Sequence, residues 1–322
     1  MLLNYIKRLI FLRNHKSLFL NMPNNDTINN DTINNNTINN DTINSNTINN
    51  DTINNLEILN KSSINNYYTF LKKKKLQKEL KKYEGTNDYI TLGVDEVARG
   101  CLVGPVVSAC VIIDDEKLLS LTEDEINSAP EIKDSKKLTN INRKKAEQWI
   151  KNKGSLYYSF GESGTDEIYK YNIRNATFLS MNRAILNCLN KLTNNTDNTD
   201  NTNNINNTNN KLNIHLLIDG NAFKIMDDYT KAFEKYNLKI DTIIKGDDKE
   251  LSIACASIIA KEYRDNLIDE LVKNNKSLER YNWDKNRGYG TKDHFNNILK
   301  YGITPYHRLG FLKKMYKREK LN

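Results

Sequence analysis

Apolar residues fall in short runs along the middle of the chain, and several of these runs end on an acid. "YITLGVD" (89–95) has the length of a buried strand and closes on Asp95, and "VVSACVII" (106–113) reads as a second strand. Gly100 and Gly104 lie in the short connection between them. "SLYYSFGE" (155–162) alternates well enough to be a third strand. Between the second and third, "LTNINRKKAEQWIKNKG" has helical spacing, with Thr139 or Asn140 to cap it and Gly154 to end it.

Beyond residue 165 the period lengthens. A helix is predicted from about Asp166 to Leu192, with Thr177, Met181, Ala184, Cys188 and Leu192 on one stripe. "IHLLID" (214–219) is another apolar strand ending in acid, "YTKAFEKYN" a short helix, and "KIDTIIKGDD" a strand followed by Gly246 and Asp247. A long helix follows in "KELSIACASIIAKEYRDNLIDELVKNN", where Ala254, Ala256, Ser257 and Ala260 permit close packing on a sheet. Three strands in succession fit an antiparallel meander, whereas the last two need parallel crossovers. The pattern therefore predicts an α/β fold, a mixed five-stranded sheet flanked by helices.

Two tracts fall outside this pattern. Residues 26–55 are six copies of a DTINN-like pentad, and residues 193–210 read "TNNTDNTDNTNNINNTNN". One isoleucine per pentad cannot bury enough apolar surface to offset chain entropy, so both are expected to be disordered. The second interrupts a helix-to-strand connection, as an enlarged surface loop would. The expected layout is a basic leader over 1–22, an Asn-rich repeat over 23–62, a catalytic domain over 63–282 with an insertion at 193–213, and a helical extension over 283–322.

Lys and Arg outnumber Asp and Glu by 48 to 40, a surplus that suits a polyanionic partner. The basic residues concentrate at 71–82 and 307–320; the first cluster also fits a solvated helix. The four cysteines form no metal-type pairs and no disulfide framework, which fits a reducing compartment. No run of eighteen apolar residues occurs, so no membrane partner is expected. Residues 1–22 carry Lys7, Arg8, Arg13 and Lys16 with no acid, the composition of an organelle transit peptide (mitochondrion or plastid). A plain amphipathic helix, and a cytoplasmic or nuclear protein, is the alternative.

The candidate chemistry lies in the acids at strand ends. Asp95, Asp219 and Asp247 each follow a predicted strand, and Glu96 adjoins the first. Functional groups in open α/β sheets gather beyond the carboxyl ends of strands. Four carboxylates there would raise one another's pKa unless a cation lay among them, and an all-oxygen donor set favours Mg²⁺ or Mn²⁺ over zinc. Any one Asp after a strand is usually a turn or cap residue.

The motifs "GVDEVARGCLVGPVV", "DSKKL", "LIDGN", "IKGDDKELSIACASIIAKEYRD" and "RGYGTKDHFNNILKYGITPYHR" resemble, in order, those of the ribonuclease HII family. They span about Tyr89 to Leu312 apart from the Asn-rich insertion. The resemblance implies a ribonuclease H-like fold with a small C-terminal helical extension that clamps the duplex. It implies that Asp95, Glu96, Asp219 and Asp247 hold two divalent ions, Mg²⁺ or Mn²⁺, with Asp95 bridging both. The implied activity is cleavage of the RNA strand of RNA/DNA hybrids, and cleavage 5′ of a lone ribonucleotide in duplex DNA, leaving 3′-hydroxyl and 5′-phosphate ends. The family's Gly-Arg-Gly, which holds the 2′-hydroxyl, stands here as Ala98-Arg99-Gly100, a departure. Tyr289 matches the tyrosine that packs on the neighbouring deoxyribose. Lys136, Lys137, Lys261 and Arg264 match backbone-phosphate contacts; intrahelical pairing of the last two with Glu262 or Asp265 is expected to be weaker. A monomer is expected, working on misincorporated ribonucleotides or primer remnants. A binding module that lost catalysis, and a related-fold nuclease without junction preference, are the competing readings.

Overall fold

In the computed structural model the described residues are 89–313, apart from 114–117, 119, 123, 126–127 and 197–210. The basic leader, the pentad repeat, the lysine cluster at 71–82 and most of the Asn-rich insertion lie outside them.

Five strands form one sheet in the order β3-β2-β1-β4-β5. They are β1 (Ile90–Val97), β2 (Val106–Ile113), β3 (Ser155–Ser163), β4 (Leu212–Asp219) and β5 (Tyr236–Ile243). β1 pairs antiparallel with β2, and β2 with β3, so the first three are a meander. β1 and β4 are parallel, as are β4 and β5, which gives the mixed sheet expected from the sequence. β1 lies in the middle, so its acidic end opens between two strands.

The helices are α1 (Asn140–Trp149), α2 (Thr165–Thr196), α3 (Thr230–Phe233), α4 (Leu251–Asn274), α5 (Trp283–Asn286) and α6 (Lys292–Tyr301). Thr139 caps α1 by accepting from Asn142 N, and the chain then reaches β3 through a π-type turn ending at Gly154. The predicted continuous helix from Asp166 is broken. Asn172 sits at φ 64°, and its Oδ1 accepts from the N–H groups of Arg174 and Asn175. With ψ at 165° this is a backbone that side chains rarely adopt, and the two cap hydrogen bonds of Asn172 hold it while a new helix starts there.

Alternation along the strands divides the core between the two faces. Val97, Val107, Ala109 and Val111 pack against α4, whereas Leu92, Val94, Cys110, Ile214, Leu216 and Ile218 pack against α2. Met181, Ala184, Cys188 and Leu192, all on the predicted stripe of α2, are buried there. A third cluster, with Val103, Ile268, Tyr281, Trp283, Ile298 and Leu312, joins the C-terminal segment to α4 and the β1–β2 loop. Among the described residues no helix is long and apolar enough to cross a membrane.

Candidate active site

Val94 pairs with Ile218, so the next residues, Asp95 and Asp219, reach the same end of the sheet on neighbouring strands. Asp95 is 6% exposed, and its carboxylate accepts from Glu96 N at 2.7 Å. Burial is the first reason its pKa stands well above the usual carboxylate range; the charges of Glu96 and Asp219 add to it, while a hydrogen bond from Ser257 opposes it. Glu96 is raised too, again by burial first, although Arg99 at 3.1 Å favours its charged form.

Asp247 reaches the group by a different route. After β5 the chain turns through Lys245 at φ 56°, and Gly246 N donates to Asp219 Oδ1 at 2.7 Å. A Cβ on Gly246 would lie 2.5 Å from Ile253 Cδ1 and 3.2 Å from Asp219 Oδ1, so any larger residue would have to push the Ile253 side chain aside and crowd that carboxylate. Asp247, the next residue, is pushed up to about 6 by burial, then by Asp134, Asp219 and Asp248, with Lys136 opposing.

These acids suit a hard cation in donor type and in charge. They are all oxygen, and Asp219 disfavours the ionised forms of Asp95, Glu96 and Asp247, which a bound cation would reverse. Among the described residues no three of them close around a common point as a finished metal cage. What the structure holds is a set of carboxylates mutually felt at one end of the sheet.

The flanking residues divide by role. Asp134 caps the short turn Ser135–Lys137 by accepting from Lys136 N. Lys136 favours the charged forms of Glu96 and Asp247, and Lys137 pairs with Asp248 at 2.6 Å while also feeling Asp247. Ser135 and Ser257 share a buried hydrogen bond of 3.0 Å, and Ser257 also reaches Asp95, so the lysine turn is tied to the central carboxylate. From sequence Ser257 stands out only as a small residue suited to close packing and Ser135 not at all, because a small hydroxyl gives no local cue to a site role.

Ala98 stands at φ 67° and is buried, while Arg99 and Gly100 are exposed. Alanine thus occupies a left-handed position that glycine would adopt without strain. Tyr289 is brought beside this loop by the isolated bridge between Cys101 and Tyr289. It is 36% exposed, with the Lys261 ammonium 5.9 Å from its ring centroid. Burial, with Cys101 next, pushes the Tyr289 hydroxyl up to about 12, so it is a neutral phenol at neutral pH.

Two expectations are corrected. Arg264 is not available to a phosphate: it is 1% exposed, and its guanidinium donates to the Val103 carbonyl at 2.7 Å and the Pro105 carbonyl at 3.3 Å. Lys261 does pair with Asp265, at 2.8 Å across one helical turn. Residues four apart are neighbours on a helix face, and Arg143 lies 3.5 Å from the same Asp265 carboxylate and 2.5 Å from Glu262. Sequence reading also passed over Arg308, which is buried and donates to three carbonyls of the β1–β2 loop.

A mixed β3-β2-β1-β4-β5 sheet, helices on both faces and acids converging at the β1 and β4 ends define a ribonuclease H-like hydrolase. The sequence model described as Ribonuclease HII matches residues 92–316. The Ribonuclease HII of Pelagibacter ubique is 40% identical over 225 residues, covering 69% of this chain and 95% of its own. That of Caldanaerobacter subterraneus subsp. tengcongensis is 38% identical over 239 residues, covering 74% and 80%. The crystal structure of ribonuclease H2 from Pyrococcus horikoshii covers 72% of this chain and 99% of its own, with a TM-score of 0.45 at 22% identity. The chain belongs to the ribonuclease HII family, metal-dependent endoribonucleases of RNA/DNA hybrids.

Proposed function

We propose that this protein cuts on the 5′ side of a lone ribonucleotide in duplex DNA, as well as within the RNA strand of hybrids. The products would carry 3′-hydroxyl and 5′-phosphate ends. The carrying observation is the adjacency of two features. Asp219 acts on Asp95, Glu96 and Asp247 alike, which gathers these acids at one end of the sheet, and the Ala98-Arg99-Gly100 turn begins one residue beyond the end of the strand that supplies Asp95 and Glu96.

Asp95, Glu96, Asp219 and Asp247 would hold two divalent ions, Mg²⁺ or Mn²⁺. Such ions, when bound, supply positive charge that eases deprotonation of a water and offsets charge on the leaving oxygen. The protein's own groups position the substrate. The turn at Arg99 and Gly100 offers backbone N–H groups to a ribose hydroxyl, which both donates and accepts. The exposed part of the Tyr289 ring would lie on the next sugar, where an apolar face disfavours a 2′-hydroxyl. Lys136 favours the charged forms of Glu96 and Asp247, and its charge suits the scissile phosphate.

Cleavage mapping tests this reading. One duplex carries a single ribonucleotide, the other a continuous RNA strand, each assayed with Mg²⁺ and with Mn²⁺. The expected result is one cut 5′ of the lone ribonucleotide. Binding without cleavage would favour a module that lost catalysis, and equal cutting of all-DNA duplex would favour a nuclease without ribose preference. We further propose that residues 1–22 direct the protein to an organelle, which a fluorescent fusion of residues 1–60 that stays in the cytosol or nucleus would refute.

A further inference from the structure

Arg308 is a buried cation with an unusual set of partners. It is 1% exposed, and among the described residues it pairs with no carboxylate. Instead it is committed to backbone. Its Nε donates to Gly104 O at 2.8 Å, and its Nη1 donates to Ala98 O at 2.8 Å and Arg99 O at 3.1 Å. Its own N–H donates to Leu102 O at 2.8 Å, and Gly104 N donates to Tyr306 O at 2.9 Å. The C-terminal segment is thus fastened beneath the β1–β2 loop at both of the loop's ends. Arg264 adds to the hold on the β2 end of the loop through Val103 and Pro105.

Peptide planarity gives these contacts a consequence. In a trans peptide the C=O of one residue and the N–H of the next point in opposite directions. The Ala98 carbonyl turned inward toward Arg308 therefore turns the Arg99 N–H outward. The inward Arg99 carbonyl does the same for the Gly100 N–H. Arg99 and Gly100 are exposed, and among the described residues neither N–H donates to a protein acceptor. Two adjacent outward N–H groups beside the acids make a donor pair. The same guanidinium holds the Ala98 carbonyl, and so helps keep that residue at its positive φ.

We propose that Arg308 is a positioning residue for ribose recognition: by holding the Ala98 and Arg99 carbonyls inward, it aims the Arg99 and Gly100 N–H groups at the 2′-hydroxyl. This rests on the junction reading above. Arg308 itself touches neither substrate nor acids. Lysine in its place keeps the charge but cannot reach three carbonyls in the plane of a guanidinium.

The test measures binding, with Ca²⁺ in place of the ions that support cleavage, of two duplexes that differ by one 2′-hydroxyl. The wild-type protein is expected to bind the ribonucleotide duplex about tenfold more tightly than the all-DNA duplex, on the scale of one hydroxyl's hydrogen bonds. In Arg308→Lys that ratio should fall below about threefold, with all-DNA affinity unchanged, because phosphate contacts carry the latter. Leu312→Ala, a buried change in the same segment, should lower the melting temperature yet keep the ratio. An Arg308→Lys protein that retains the wild-type ratio overturns the proposal. A wild-type protein with no ratio overturns the junction reading itself.

A second measurement needs no variant. Amide exchange by NMR should find Arg99 and Gly100 unprotected in the free protein and protected on the ribonucleotide duplex but not on DNA. Protection already present in the free protein would overturn the proposal even if Arg308→Lys failed to fold.

Discussion

A Cβ built on Gly93 would lie 2.2 Å from the carbonyl carbon of Ser252, so β1 and the first turn of α4 touch backbone to backbone. That contact brings β1, whose next residues include Asp95 and Glu96, directly onto the helix that follows Asp247. Gly93→Ala is expected to destabilise the protein by about 1–3 kcal/mol or more, because rigid backbone rather than a flexible side chain must yield. Thermal unfolding should show a drop of several degrees, with cleavage falling even below the melting point. An unchanged melting temperature would contradict the close approach.

Asp95→Asn should abolish cleavage yet leave duplex binding within about tenfold, since Lys and Arg contacts to phosphate carry affinity. The same change removes a carboxylate from a buried repelling group, so the metal-free variant should melt no lower than wild type. Mg²⁺ should raise the wild-type melting temperature, as any ligand of the native state does, and raise that of the variant less. Differential scanning fluorimetry with and without EDTA gives all four values.

The Asp247 carboxyl gives a pH dependence with a definite sign. Its folded pKa, about 6, exceeds its ordinary value near 4, so between those values the folded protein binds more protons than the unfolded chain. Metal-free stability from this group therefore falls as pH rises from about 4 to about 6. Asp247→Asn should abolish that slope, and the wild-type-minus-variant difference in melting temperature should shrink toward pH 4. A difference independent of pH would contradict it. The comparison with the variant is needed because His307 acts oppositely. Burial and His294 hold it down to about 4, so its contribution is lost as pH falls from about 6.5 toward 4.

Ala98→Gly relieves a left-handed alanine, a strain of about 1–2 kcal/mol. It also frees the unfolded chain by about 0.4–1 kcal/mol and removes a buried methyl of about 0.8 kcal/mol. The net change in stability should stay within about 1 kcal/mol. Cleavage at a lone ribonucleotide should be at least as fast as in wild type. A tenfold loss would mean that the methyl itself contributes to the site.

The sheet was legible because β2 is an apolar run, β1 and β4 are largely apolar and β3 and β5 alternate, and the acids were legible because strand ends are marked by the loss of those patterns. Even the parallel–antiparallel switch followed from which connections were long enough to cross over. The break at Asn172 was not, since "YNIRN" satisfies helical spacing and only the backbone shows that Asn172 caps a second helix. Arg264 read as a surface cation because a sequence does not say which charges are buried. Arg308 gave no local sign at all: its three carbonyl partners lie 204 to 210 residues earlier in the chain. Ala98 was visible as a departure, but its cost was not known until its φ was.

The separation of the acids along the chain also sets when the enzyme can first act. Asp95 lies on an early strand, while Asp219 and the turn bearing Asp247 arrive only with β4 and β5. Pairing β1 with β4 must wait for a distant segment, and such non-local pairing is slow. The Asn-rich insertion adds little to that wait, because loop-closure entropy grows only by about 0.6 kcal/mol per doubling of length. A chain emerging from its N-terminal end therefore carries half of a nuclease from the emergence of Asp95 until Asp247 has been made. It becomes able to cut nucleic acid only once the last strands have docked.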